Sequence, residues 1–475
     1  MKLSFQGGII LPSSAEQFIN DTEIKETLKW VDENKDNKTL VAEVLRKAEE
    51  RKGLPHREAS LLLHAADSGR LFALARKIKA EFYGNRVVLF APLYLSNYCD
   101  NGCVYCPYNK NNKKIHRKKL TQDEIRAEVI ALQDMGHKRL AIESGESPAH
   151  SPIEYITESI DTIYKIKHKN GAIRRVNVNI AATTVEDYQK LKKAEIGTYI
   201  LFQETYQKEI YQKLHPSGPK SDYAFHTEAM DRAMQAGIDD VGIGVLFGLG
   251  DYRYDFCALL MHAEHLEAAY GVGPHTISVP RIRPADGVST GRFIGAIDDE
   301  TLSRIVACIR ISAPYTGIIV STRESAESRE KLLDVGVSQI SGGSRTSVGG
   351  YEREEDKEAN TKQFEIDDSR TLGQVVTWLM ETGHIPSFCT ACYREGRVGD
   401  RFMSLAKTGK IQSICLPNAL MTLEEYLLDY SDEKTRVFGE KLITSELNNI
   451  PNAKVRALVS ENLEKIKNGS RDFRI

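Results

Sequence analysis

A chain of 475 residues with 64 Lys and Arg against 66 Asp and Glu carries a net charge of −2, so no global field recruits nucleic acid or an anionic membrane surface. Its longest apolar run falls far short of the roughly 18 residues that span a bilayer, and Met1-Lys2-Leu3-Ser4-Phe5 leads into no apolar stretch of signal-peptide length. These features predict a cytoplasmic chain in which thiols stay reduced and clustered cysteines point to metal or catalysis.

Residues 1–87 read as an N-terminal helical region, with apolar positions recurring at i, i+3 and i+4 through 40–45 and 60–64. From Val88 the period changes to short β-rich runs alternating with amphipathic stretches. The runs are 88–95, 139–143, 176–180, 198–202, 240–244, 275–279, 317–321 and 337–341. Eight such units within 88–350 have the count and length of a (β/α)8 barrel of the TIM type. Thr121-Gln122-Asp123-Glu124 has the form of a capping box ahead of the first crossover helix. At the charged stretch 351–357 the rhythm stops, and 351–475 read as a mainly helical C-terminal domain.

Six of the eight cysteines form two trios. Cys99, Cys103 and Cys106 follow strand one as Cys-x3-Cys-x2-Cys; Cys389, Cys392 and Cys415 lie in loops of the C-terminal region as Cys-x2-Cys-x22-Cys. A 4Fe-4S cluster takes four ligands, so each trio leaves one iron open to a ligand that is not protein. Zinc would want a fourth N or S ligand, or a nearby His pair, that neither trio has. Cys257 and Cys308 stand alone among apolar neighbours and read as small buried hydrophobes. The loop after a barrel strand belongs to the face where barrels keep their chemistry, which puts the first trio there.

The run 97–108, with Tyr105 just before the last cysteine of its motif, resembles the radical S-adenosylmethionine (SAM) enzymes. The resemblance implies that the open iron takes the amino and carboxylate groups of SAM, whose reductive cleavage yields a 5′-deoxyadenosyl radical. It implies that Ser144-Gly145-Glu146, at the end of strand two, stands for the family's Gly-Gly-Glu turn beside the methionine of SAM. Read alone, the run is a turn in which Gly145 supplies a positive φ. By the same resemblance Glu204, ending strand four, holds SAM or a substrate amine, and Lys220 meets the SAM carboxylate; a solvated side chain is the alternative for both. Gly242, Gly244, Gly248 and Gly250 lack dinucleotide spacing and are expected to let the backbone approach an adenine. The basic run 110–119 reads as a solvated loop. Arg323 ends strand seven and Arg345 follows strand eight. Both are similar to the tyrosine and tryptophan lyase branch, in which the strand-seven arginine clamps the substrate carboxylate through a bidentate pair. An Arg–Glu structural pair is the alternative.

The C-terminal trio makes the chain resemble the HydG-type maturases of FeFe-hydrogenase more than the ThiH-type 2-iminoacetate synthases of thiamine synthesis, which end soon after the barrel. That resemblance implies cleavage of L-tyrosine to p-cresol and a dehydroglycine fragment that becomes CO and cyanide. The fragments would reach a second 4Fe-4S cluster through an internal passage. There an additional iron carried by free L-cysteine would collect them as an Fe(CO)2(CN) unit for the other maturases, HydE and HydF. An electron donor is implied, and no nucleic acid or membrane. The resemblance also puts a histidine ligand of the additional iron in the helix after strand five, at His265 rather than His262; a satisfied core histidine is the alternative.

Overall fold

The computed structural model describes residues 13–283, 293, 295–352, 360–409 and 411–475; the leader reading at 1–5 and residues 353–357 of the charged stretch lie outside them. Eight parallel strands close into a barrel. They are β1 (Arg86–Ser96), β2 (Arg139–Ser144), β3 (Arg175–Asn179), β4 (Tyr199–Glu204), β5 (Val241–Val245), β6 (Thr276–Ser278), β7 (Gly317–Val320) and β8 (Gln339–Ser341). Each pairs with the next, and β8 returns to β1 from Val88↔Gln339 to Phe90↔Ser341. All eight fall on the predicted runs to within two residues, because strands of a parallel barrel are buried on both faces and so read as short, near-continuous apolar and β-branched runs. The capping box forms as expected: the Thr121 hydroxyl accepts from the Glu124 N–H, and the Glu124 carboxylate accepts from the Thr121 N–H at 2.8 Å, starting the helix Gln122–Asp134.

A further strand, β9 (Ile385–Ser387), was not expected. It is three residues long and contains Pro386, a poor strand signal. It pairs in parallel with Arg86–Val88 on the edge of β1 that, from Ala91 onward, pairs with β2. The eleven residues of β1 are long enough to serve both partners on one edge. This pairing ties the C-terminal region to the N-terminal mouth of the barrel, opposite the first trio. The second trio then spreads over three settings rather than sitting in loops alone. Cys389 follows β9, Cys392 lies in the short helix Ala391–Arg394, and Cys415 is in the first turn of the helix Gln412–Tyr430.

Helices between Ala15 and Tyr83 pack on one flank, against Tyr252–Tyr270 and Asp299–Ser312. Leu61, Leu62, Leu71 and Ile78 are fully buried in this seam, each removal from water stabilising by about 1.5–3 kcal/mol. Cys257 and Cys308 are buried in the two barrel helices, as expected. Among the described residues no helix is long and apolar enough to cross a membrane.

Candidate functional site

The loop after β1 is tied to itself before it holds anything else. Arg117 donates to the carbonyls of Asn97 at 2.6 Å, Tyr108 at 2.9 Å and Asn109 at 2.6 Å, while Lys110, Lys113, Lys114 and Lys119 are exposed. Within it Cys99, Cys103 and Cys106 line a cavity of about 150 Å³ together with Tyr105, Ser144, Gly145, Glu146, Glu204, Lys220 and Arg323. Gly145 is needed for clearance rather than for a positive φ. A Cβ there would stand 2.3 Å from the Tyr98 carbonyl oxygen and 3.3 Å from the Cys99 Cβ. Its N–H donates to Ser96 O at 2.9 Å, so the turn lies flat against the cysteine loop. Glu146 accepts from the Asn101 side chain at 2.5 Å.

Glu204 adopts φ +69° where the register of β4 against β5 shifts, a conformation costing a non-glycine residue about 1–3 kcal/mol. The strained backbone aims its carboxylate at Lys220, 2.7 Å away and largely buried with it. Burial disfavours the Lys220 ammonium, but Glu204 and Cys103 outweigh it and raise the pKa; this is not a solvated lysine. The pair offers one carboxylate and one ammonium, the complement of an amino acid's two ends. The Tyr105 hydroxyl is 2.8 Å from His215 Nε2. Since His215 Nδ1–H donates to the Tyr211 carbonyl at 2.7 Å, the hydroxyl is the donor, and Tyr105 serves as cavity wall.

Arg323 lies with its guanidinium carbon 3.6 Å above the Phe364 ring. The guanidinium makes no hydrogen bond or ion pair among the described residues. The Arg–Glu structural pair exists next door without it: Glu324 accepts from Arg281 at 3.0 Å and from Arg283 at 2.9 Å. Beneath Arg323 the space continues inward past Glu143, Asn179 and Phe202 to Phe90, Ala141, Ile200, Ile319 and Ser341. Burial pushes the Glu143 carboxyl up to about 8, against the pull of Asn179 and Arg323. Glu143, Asn179 and Phe364 were not singled out from sequence, although the first two are the last inward positions of their strands and alternation alone could have pointed to them. Arg345 is exposed and lines neither space; its backbone N–H donates to the Tyr351 hydroxyl at 3.0 Å. Gly242 and Gly244 are held to glycine by their neighbours. A Cβ at each would strike Thr276 Oγ1 (2.5 Å) or Phe202 Cδ1 (2.7 Å), so they clear room for inward side chains of adjoining strands.

Cys389, Cys392 and Cys415 line a cavity at the opposite mouth, with Arg86, Arg139, Arg175 and His275 from the strand starts. A hydrogen bond from Cys415 holds Cys392 down to about 6 against burial, helped by Arg397 and Arg86, while Cys415 is raised. Arg139 also donates to the Cys389 carbonyl at 2.6 Å. Burial raises Cys389 too, with the Arg139 and Arg86 guanidiniums pulling toward the thiolate that a metal takes. Among the described residues no three His, Cys, Asp or Glu groups are arranged to hold a metal ion. Each trio brings three thiols to one cavity, the donor type that an iron-sulfur cluster takes.

His265 does not reach this centre. Its Nε2 is 2.8 Å from Asp231 and its ring stacks on Phe18 at 4.0 Å, while His262 Nδ1 lies 2.8 Å from the Tyr206 hydroxyl. The helix Tyr252–Tyr270 runs outside the barrel, so its histidines serve the flank. The histidine that lines the second cavity is His275, immediately before β6. Burial drops its pKa to about 4, and Nδ1 has no hydrogen bond, with Asp240 at 3.4 Å. A neutral, unspent imidazole is what a metal takes. The inner space and the second cavity stop two residues apart on four strands, at Phe90 and Val88, Ala141 and Arg139, Ile319 and Gly317, Ser341 and Gln339.

Residues 93–261 match the radical SAM superfamily and residues 278–385 the Biotin and Thiamin Synthesis associated domain. A 2-iminoacetate synthase of Escherichia coli (strain K12) is 31% identical over 329 residues, 68% of this chain and 84% of that protein. A crystal structure of HydG, a maturase of the FeFe-hydrogenase, superposes with a TM-score of 0.93 at 52% identity, covering 96% of this chain and 100% of that one. The HydG of Carboxydothermus hydrogenoformans gives a TM-score of 0.82 at 38% identity, covering 95% and 100%.

Proposed function

The chain belongs to the radical SAM family that includes the 2-iminoacetate synthases and the HydG maturases, and on that premise we propose that it cleaves L-tyrosine to p-cresol and dehydroglycine, turns the latter into CO and cyanide, and assembles an Fe(CO)2(CN) unit for FeFe-hydrogenase maturation. The observation that carries this reading is a second cysteine trio at the far mouth of the same barrel. The relatives support it by extent: the synthase of Escherichia coli accounts for 68% of the chain, the two HydG structures for 95–96%.

Cys99, Cys103 and Cys106 hold the first 4Fe-4S cluster, which with SAM supplies a 5′-deoxyadenosyl radical. Ser144, Gly145 and Glu146 border the methionine end of SAM, and Glu204 with Lys220 match its ammonium and carboxylate. Arg323 presents a planar fork to the tyrosine carboxylate, its plane fixed by Phe364, so the substrate is oriented before a hydrogen is taken. Phe202 and Phe364 narrow the space below and exclude water from a reactive intermediate. Cys389, Cys392 and Cys415 hold the second cluster, and His275 the additional iron that free L-cysteine completes. On this reading residues 1–87 flank, 88–350 cleave tyrosine and 351–475 collect the fragments, in the cytoplasm, with an electron donor and the other maturases, HydE and HydF, as partners.

The test is anaerobic reconstitution with iron and sulfide, followed by assay of tyrosine plus SAM. Deoxyadenosine, p-cresol, CO and cyanide are expected together. With both centres loaded, p-cresol without CO would favour a 2-iminoacetate synthase; no p-cresol would overturn both readings.

A further inference from the structure

Outside the second cysteine cavity lies an open groove of about 1190 Å³, bordered by the short hairpin at Lys167–His168 and Gly171–Ala172, the start of β3 and the segment 469–474. Its walls carry nine Lys and Arg against five Asp and Glu. Lys167 and Lys193 are exposed there and form no ion pair among the described residues. Two residues, Arg175 and Tyr393, line both the groove and the cysteine cavity. They are locked together: the Arg175 guanidinium carbon sits 2.8 Å above the centre of the Tyr393 ring. The Tyr393 hydroxyl meets Thr198 Oγ1 at 3.1 Å, and Arg175 donates to the same Thr198 oxygen at 2.6 Å. On the cavity side Tyr393 stands edge-on to His275, ring centres 6.0 Å apart, and it directly follows Cys392. The Tyr393–Arg175 pair is thus the wall shared by an open groove and the cavity of the cysteines and the histidine.

We propose that the groove is the vestibule of the second centre and that Tyr393, latched onto Arg175 and Thr198, is the door through which anions of amino-acid size pass. The inference rests on reading Cys389, Cys392 and Cys415 as a metal centre. From the barrel side the inner space stops one inward layer short of the cysteines, whereas from the groove the stacked Tyr393–Arg175 pair is the shared wall. Most of these cations are ion-paired, Lys169 with Asp134, Arg174 with Glu425, Arg471 with Asp429 and Arg474 with Glu395, so Lys167 and Lys193 are the ones that raise the local concentration of anions. Swinging the ring out uncovers Arg175, whose Nε and Nη2 stay on Asn177 and Thr198, so that its Nη1 can meet a carboxylate as it enters.

The experiment uses the reconstituted full chain and follows iron leaving the second centre to an anionic chelator, EDTA, and to a neutral one, 1,10-phenanthroline. The iron counted is that released by the native chain but absent from Cys389→Ala/Cys392→Ala. Tyr393→Ala should release it several-fold faster to both chelators, with Tyr393→Phe, which loses only the latch to Thr198, in between. Lys167→Glu/Lys193→Glu, on the exposed rim, should slow EDTA by about tenfold, the low end of electrostatic steering, and leave phenanthroline unchanged. Native rates in both Tyr393 variants, or equal slowing of the two chelators by the lysine pair, would overturn the vestibule. If the double cysteine variant releases as much iron as the native chain, it is the metal-centre reading that fails, and the door with it. SAM cleavage in the same samples reports that the barrel is intact.

Discussion

Arg323 is stacked yet unspent: Phe364 holds the guanidinium plane, and no described residue takes its hydrogen bonds. Arg323→Lys keeps the charge and loses the fork, which removes about 1.5–3 kcal/mol of a charged pair, roughly ten- to a hundredfold in kcat/KM for tyrosine. SAM cleavage should then run ahead of p-cresol; unchanged tyrosine kinetics would remove Arg323 from the site. His275 is the second residue at issue. Iron content and EPR after reconstitution should show the additional iron lost in His275→Asn and kept in His265→Asn, because the second ring is occupied by Asp231 and Phe18. The reverse pattern would contradict the assignment. The cysteine spacing was legible in the sequence because it is local. His275 was not, because only β9 brings the second trio to the start of β6, and Arg345 misled because a position just past a strand end does not say where its side chain goes.

Among the elements, the bend after β4 is held from behind. Asp255, on the helix Tyr252–Tyr270, accepts from the Thr205 hydroxyl at 2.9 Å and the Tyr206 N–H at 2.7 Å, directly after the strained Glu204. Burial pushes its carboxyl up to about 7, against those hydrogen bonds. The unfolded chain releases this proton near the ordinary aspartate range of about 4, so the folded form binds more protons between about pH 4 and pH 7, and the stability this group contributes is lost as pH rises through that window. Asp255→Asn keeps both acceptor contacts and cannot titrate. The urea midpoint of the native chain should therefore fall more than that of the variant on going from about pH 5 to about pH 8; parallel curves would contradict it. Strand positions were legible because a barrel wall buried on both faces leaves a short apolar, β-rich run at each strand. The β9 pairing was hidden because its signal is three residues long and includes a proline.

At the scale of the molecule, the direction of eight parallel strands divides the chemistry. Strand ends supply Glu143, Asn179 and Glu204 to one mouth, and strand starts supply Arg86, Arg139 and Arg175 to the other. The barrel could be read from length and rhythm alone. Which mouth the second trio occupies could not, since 351–475 carry helical patterns that fix no docking surface until β9 is seen. If the two mouths divide the labour, breaking tyrosine must not depend on the mouth that holds the second trio. The decisive measurement is p-cresol and CO from one reaction of Cys389→Ala/Cys392→Ala. The account predicts that p-cresol persists while CO collapses; equal loss of both, or CO at the native level, would contradict it.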